Sequence, residues 1–121
     1  MKTAKNKGRA RRKPAYYRIR AIVGRALGNE NRLMILDSLA GGEMCVCDIV
    51  RVLGCDQSTV SKHLSLLKNT GLVEERRAGT RVYYRLACPC VPKFFDCIEE
   101  VVSSRLSRQQ KMLGAARKGS R

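Results

Sequence analysis

DQSTVSKHLSLLKNTG, Asp56 to Gly71, reads as one amphipathic helix with both ends marked. The Asp56 carboxylate can accept the free amide of Thr59 and cap the N-terminus. Gly71 stands where a helix can stop and the chain can turn away. Val60, Leu64 and Leu67 recur at the helical period and form one apolar stripe. Ser58, Ser61, Lys62, Ser65 and Asn69 fall on the opposite side, which is polar, mostly short-chained and free of acid. Such a face can approach a phosphate backbone and a groove floor without a steric or charge penalty. On its own it fits an ordinary surface helix equally well.

The flanking sequence decides between the two. Upstream, Val46 to Leu53 is a shorter helical pattern with Ile49, Val50 and Leu53 as its apolar positions. Only Gly54-Cys55-Asp56 separates it from the second helix, which is the spacing of a helix-turn-helix. Downstream, Leu72 to Arg76 reads as a strand, Arg77 to Thr80 as a turn, and Arg81 to Leu86 as a β-branched and aromatic strand. A helix-turn-helix followed by a basic hairpin is a winged helix. The expected fold is mainly α with a small β-hairpin. Arg76, Arg77 and Arg81 would serve the wing in phosphate or minor-groove contact.

Working outward, residues 14–113 are expected to form one domain. It runs from a basic arm (1–13), read as disordered, to a basic tail (114–121). Pro14 suits the first turn of a helix whose apolar side is Tyr16, Ile19, Ile22, Val23 and Ala26. Asn29 can cap the next helix, Glu30 to Ala40, rich in leucine and expected at the centre of the core. After the wing, Cys88-Pro89-Cys90-Val91-Pro92 is stiff and non-helical. A long helix should follow from about Pro92. Its apolar residues, Phe94 through Leu113, exceed what so small a domain can bury. Together with the first helix it is expected to form a dimer interface, as a two-fold DNA site requires.

The net charge of +15 is carried by the two ends. Residues 2–20 hold nine Lys or Arg and no acid, and residues 105–121 six and no acid; residues 21–104 hold ten of each sign. Basic ends on a balanced centre suggest electrostatic grip on a polyanion. No long apolar run or signal peptide is present, so no membrane partner and a cytoplasmic location are expected. No Ser-His-Asp arrangement or phosphate-cradling glycine loop appears, which argues against an enzyme.

Six cysteines in a cytoplasmic chain do not suggest a disulfide framework. Cys45/Cys47 and Cys88/Cys90 are two C-x-C pairs; Cys55 and Cys97 stand alone. Thiolates select soft ions. An i, i+2 pair does not share one side of a regular helix, so joint binding by Cys45 and Cys47 needs an irregular helix start. The pairs can also hold zinc or cadmium through four thiolates, or sense oxidation as disulfides without a metal.

Four segments resemble the ArsR/SmtB family of arsenic- and metal-responsive repressors. They are Arg25 to Leu33, the Glu43 to Ile49 cysteine box, Gln57 to Leu67, and Gly79 to Leu86, in the family's order. The resemblance implies a homodimer that binds operator double-stranded DNA, represses transcription and lets go when a thiophilic ion binds. The cysteine box points to arsenite or antimonite as inducer, with cadmium, lead or zinc as rivals. Some members carry a further cysteine one turn after the pair, where this chain has Val50. Others use cysteines from an N-terminal arm, and here none precedes Cys45. The third ligand is therefore open among Cys55, Cys88 or Cys90 joining Cys45 and Cys47, and a separate Cys88, Cys90 and Cys97 site. Cys55 is expected to pack as a structural thiol. On DNA the expected contacts are Ser58, Thr59, Ser61, Lys62 and Ser65, with Lys68 adding grip. His63 sits at the edge of the apolar stripe, in a packing or phosphate-contact role. In winged helices the segment at Met44 and Cys45 usually pairs with the last wing strand. A redox-sensing repressor and an architectural DNA binder with structural zinc are the alternatives.

Overall fold

The computed structural model describes residues 12–119; residues 1–11 of the expected arm and residues 120–121 lie outside that range. In chain order the elements are α1 (Pro14–Leu27), α2 (Glu30–Leu39), β1 (Met44–Cys45), α3 (Val46–Leu53), α4 (Gln57–Thr70), β2 (Val73–Ala78), β3 (Arg81–Leu86) and α5 (Val91–Gly119). They divide into two compact units between Ala87 and Cys88.

In the first unit the helix boundaries follow local chemistry. Pro14 occupies the first turn of α1. Asn29 Oδ1 accepts the Arg32 amide at 3.1 Å, and Asp56 Oδ1 accepts the Thr59 amide at 3.1 Å. Each cap satisfies an amide that has no partner within its helix. The turn between α3 and α4 needs a left-handed residue, and Gly54 supplies it at φ 68°. A side chain there would be strained.

The core is where α2, α3 and α4 meet. Ile35, Leu36, Ile49, Val60, Leu64 and Leu67 are its largest fully buried side chains. Each is worth about 1.5–3 kcal/mol relative to exposure. Within α2 the buried positions are Ile35, Leu36 and Leu39, while Met34 faces solvent.

The sheet has the order β1-β3-β2 and is antiparallel throughout. The expected pairing of Met44 and Cys45 with the last wing strand is present, as Met44 opposite Tyr84 and Cys45 opposite Tyr83. The wing is longer and its turn tighter than the sequence suggests. Strand β2 continues through Arg77 and Ala78, which face Val82 and Arg81. Gly79, at φ 63°, allows a two-residue connection that a four-residue turn reading overlooks. Arg76 therefore lies two positions back from the wing tip. Tyr84 is buried and Tyr83 is half-buried, on alternate faces of β3.

The second unit is dominated by α5. The helix starts at Val91 and runs through Gly114, where the sequence reading begins the tail, to Gly119. Val91 is buried, whereas Val101, Val102, Leu106, Met112 and Leu113 are exposed. On α1, Ile19 and Ile22 are exposed as well. Among the described residues, no helix is long and apolar enough to cross a membrane.

Candidate nucleic-acid interface and thiol site

Ser58, Ser61, Lys62 and Ser65 are all exposed on α4, opposite the buried Val60, Leu64 and Leu67. The two faces predicted from periodicity are thus separated in the structure. Two of the expected contacts are already engaged locally. Ser58 Oγ donates to Asp56 Oδ2 at 3.2 Å, and Thr59 is half-buried with its amide on the same carboxylate. These bonds, Thr59 first, hold the Asp56 carboxyl below its usual range.

His63 is on the inner flank rather than the exposed face. Its Nδ1 lies 3.3 Å from Arg32 Nη1. Arg32 also donates through Nε to the Ala26 carbonyl at 2.8 Å and through Nη2 to the Arg25 carbonyl at 2.9 Å. One guanidinium thereby satisfies the end of α1 and braces the middle of α4. Burial, and then the Arg32 charge, push the His63 imidazole below its ordinary value. Arg32 falls within the Arg25 to Leu33 segment, and nothing in its spacing announces this role.

The wing arginines differ from one another. Arg76 stacks over the Tyr83 ring at 4.7 Å and reaches Glu43 through Nε at 3.0 Å and Nη2 at 2.6 Å. It spans the three strands and ties the wing to the segment before β1. The bidentate geometry is a strong form of the contact, though both groups remain solvated. It holds the Glu43 carboxyl low and raises the Arg76 guanidinium. Arg77 Nε lies 3.3 Å from Glu75, and Lys68 Nζ 3.6 Å from the same carboxylate oxygen. Tyr84 donates its hydroxyl to Glu75 at 2.8 Å. That bond leads the lowering of Glu75, and burial followed by Glu75 pushes the Tyr84 phenol up to about 12. Arg81 is exposed at the tip and has no ion pair among the described residues.

The cysteine box lies where a strand becomes a helix. Cys45 ends β1 and is the N-cap of α3, with extended backbone at φ −80° and ψ 157°. Cys47 belongs to the first helical turn. The irregular helix start that the i, i+2 spacing requires is therefore built in. Their sulfurs are joined as a disulfide, as are those of Cys88 and Cys90. Cys45 is 4% exposed, while Cys47 is exposed. Among the described residues, one group of three possible ligand atoms lies within 4.8 Å of one another: Cys45, Cys47 and Asp48. Asp48 was missed as a candidate, although it directly follows the pair in sequence. Its carboxylate also meets Arg51 at 3.3 Å.

Cys97 is exposed on α5, and Cys88 Sγ accepts the Cys90 amide at 3.4 Å. Cys55 is half-buried, with its thiol 3.8 Å from the Leu53 carbonyl, in keeping with a packing role.

The box opens into a cleft of about 340 Å³. Gln57 and Ser61 of α4 form one wall and Arg77, Thr80 and Arg81 of the wing another. The thiol site and the outer face of α4 thus border one space.

Residues 29–75 match the model of the bacterial regulatory proteins of the arsR family. The HTH-type transcriptional regulator Rv0324 of Mycobacterium tuberculosis is 44% identical over 100 residues, covering 83% of this chain but 44% of that protein. The HTH-type transcriptional regulator MJ1325 of Methanocaldococcus jannaschii is 38% identical over 86 residues, covering 70% of this chain and 97% of that protein. Among solved structures, the homodimeric winged helix-turn-helix DNA-binding domain Mb0332 from Mycobacterium bovis superposes with a TM-score of 0.71 at 44% identity, over 81% of this chain and 91% of that one. With the helix-turn-helix, the paired wing and the cysteine box all in place, the chain belongs to the ArsR/SmtB family of transcriptional regulators.

Proposed function

We propose that this protein is a homodimeric, DNA-binding transcriptional repressor that leaves its operator when a thiophilic ion binds at Cys45 and Cys47. The observation that carries the reading is the cleft: the thiol box and the acid-free face of α4 border the same space. Ser58, Thr59, Ser61, Lys62 and Ser65 would meet the major groove and adjacent phosphates. Arg77 and Arg81 would serve the wing, with Arg76 holding it in place and Lys68 adding charge. The exposed apolar residues of α1 and α5 would join two copies. Relatives 43% and 42% identical over 67 residues are named for the arsenical resistance operon of Escherichia coli and for cadmium resistance in Staphylococcus aureus.

Arsenite or antimonite fits two soft thiolates best. Reduction of the Cys45–Cys47 bond would free both sulfurs, and Asp48 stands within reach as a harder third donor. An oxygen donor suits cadmium or zinc as well. Cys88 and Cys90 would form a second thiol pair, and Cys97 lies outside it. The disulfides favour one further reading, a repressor switched by oxidation of its paired thiols without any metal.

The test is a titration of reduced, metal-free protein bound to a duplex selected by the protein from a random-sequence library. Arsenite should release the DNA with one ion bound per box, and Cys45→Ser/Cys47→Ser should abolish release. Release by diamide but by no soft ion would transfer the function to redox sensing.

A further inference from the structure

We propose that the cleft beside the cysteine box is the seat of a DNA backbone phosphate, with Cys47 as part of its wall. DNA and any group attached to Cys47 would then exclude one another directly. The inference rests on the DNA-binding reading above and specifies how the thiol site governs it.

Three observations carry it. The first is position: the cleft is bordered by Gln57 and Ser61 on α4 and by Arg77, Thr80 and Arg81 on the wing. A winged helix places these two elements against duplex DNA, so the space between them faces the backbone. The second is chemistry. An amide, two hydroxyls and two guanidinium groups supply donors of the kinds that bind phosphate oxygens. The acid in the wall, Glu75, is offset by Tyr84, Arg77 and Lys68. Arg81 has no ion pair among the described residues and is free to turn to a phosphate. The third is the unequal burial of the two thiols. Both border the cleft, but Cys45 is 4% exposed while Cys47 is exposed. A group added at Cys47 occupies the space that the phosphate needs. Exclusion of this kind requires no second conformation of the protein.

The experiment uses the full, reduced chain and a duplex that it selects from a random-sequence library. Iodoacetamide labelling of each cysteine is followed by peptide mass spectrometry, with and without the duplex. At duplex one hundred times its Kd, direct exclusion slows labelling of Cys47 about 100-fold. Cys97, on the other unit, keeps its rate. Equal labelling of Cys47 in free and bound protein overturns the proposal while leaving DNA binding intact. If no duplex is selected, the DNA-binding reading falls and this inference falls with it. A second measurement separates direct from remote exclusion: Cys47 is capped with a methylthio group or with a bulky maleimide. Direct exclusion predicts that the bulky cap weakens duplex binding far more than the small one. Equal weakening by the two caps overturns it. Arg81→Ala should weaken duplex binding and leave the Cys47 labelling rate of free protein unchanged.

Discussion

The two C-x-C pairs have the same spacing and different surroundings. Cys45–Cys47 straddles the end of a paired strand and the first turn of a helix, with one thiol buried, one exposed and a carboxylate in reach. Cys88–Cys90 sits in a proline-containing turn ahead of α5, with Cys88 half-buried and Cys90 exposed. Among the described residues no third ligand atom groups with it. Spacing brings two sulfurs together in both places. A buried N-cap, a neighbouring acid and a shared cleft are what turn the first pair into a candidate sensor.

The strongest test of the contrast is energetic. The first unit has a closed core and α5 does not. Leu64→Ala should cost about 2–5 kcal/mol in denaturant unfolding. Leu106→Ala, on the exposed side of α5, should stay within about 0.5 kcal/mol at high dilution. It should instead raise the dimer dissociation constant, measured by sedimentation. A large loss at Leu106 under dilute conditions would mean that α5 has a core of its own.

Next comes ion affinity. Cys45→Ser/Cys47→Ser should weaken arsenite binding by more than the roughly 10–100-fold typical of a lost supporting residue. Cys88→Ser/Cys90→Ser should change it only a few-fold, and calorimetry on reduced protein would distinguish them. Comparable losses in both variants would erase the distinction between the pairs. Asp48→Asn sharpens the question of the third donor. A loss of about tenfold for cadmium, with arsenite unchanged, would assign its carboxylate to the harder ion.

The wing offers a smaller effect. Arg81→Ala should lower the magnitude of the salt dependence of duplex binding by about one unit of log–log slope. Arg76→Ala should act instead through wing position, because its guanidinium is held by Glu43 and Tyr83. Glu43→Gln should then reproduce part of the Arg76→Ala defect. If it has no effect on duplex binding, the tether has no role there.

The smallest effect concerns pH. Burial and Arg32 hold the His63 imidazole below its ordinary value of 6.5. The unfolded chain therefore takes up a proton that the folded form resists. This part of the stability is complete above 6.5 and is lost as pH falls through the folded value. Thermal melting from pH 7.5 to 5 should show the decline, and His63→Gln should make it shallower. An unchanged slope in that variant would rule His63 out.

Much of this fold was legible because its signals are local. Asp56, Gly54 and the Val60, Leu64, Leu67 stripe mark the helix-turn-helix through caps and periodicity alone. The alternation of Tyr83 and Tyr84 follows from strand geometry. The wing turn was misplaced because Arg77 and Ala78 have no strong strand preference, and their state is set by pairing with Val82 and Arg81 across Gly79. Arg32, Glu43 and the different fates of Arg76 and Arg81 were not legible, since each depends on a partner distant in sequence.

By itself, then, the sequence determined the order and limits of most elements, the apolar and polar faces of α4, and a soft-ligand chemistry at the cysteine box. Those properties arise from neighbours within a turn or two. Only the tertiary structure decided that Cys45 is buried and Cys47 exposed. It also decided that the box, the α4 face and the wing border one cleft. These depend on packing β1 against β3 and α3 against α4, and no local pattern encodes the distance between elements that the chain joins only by folding.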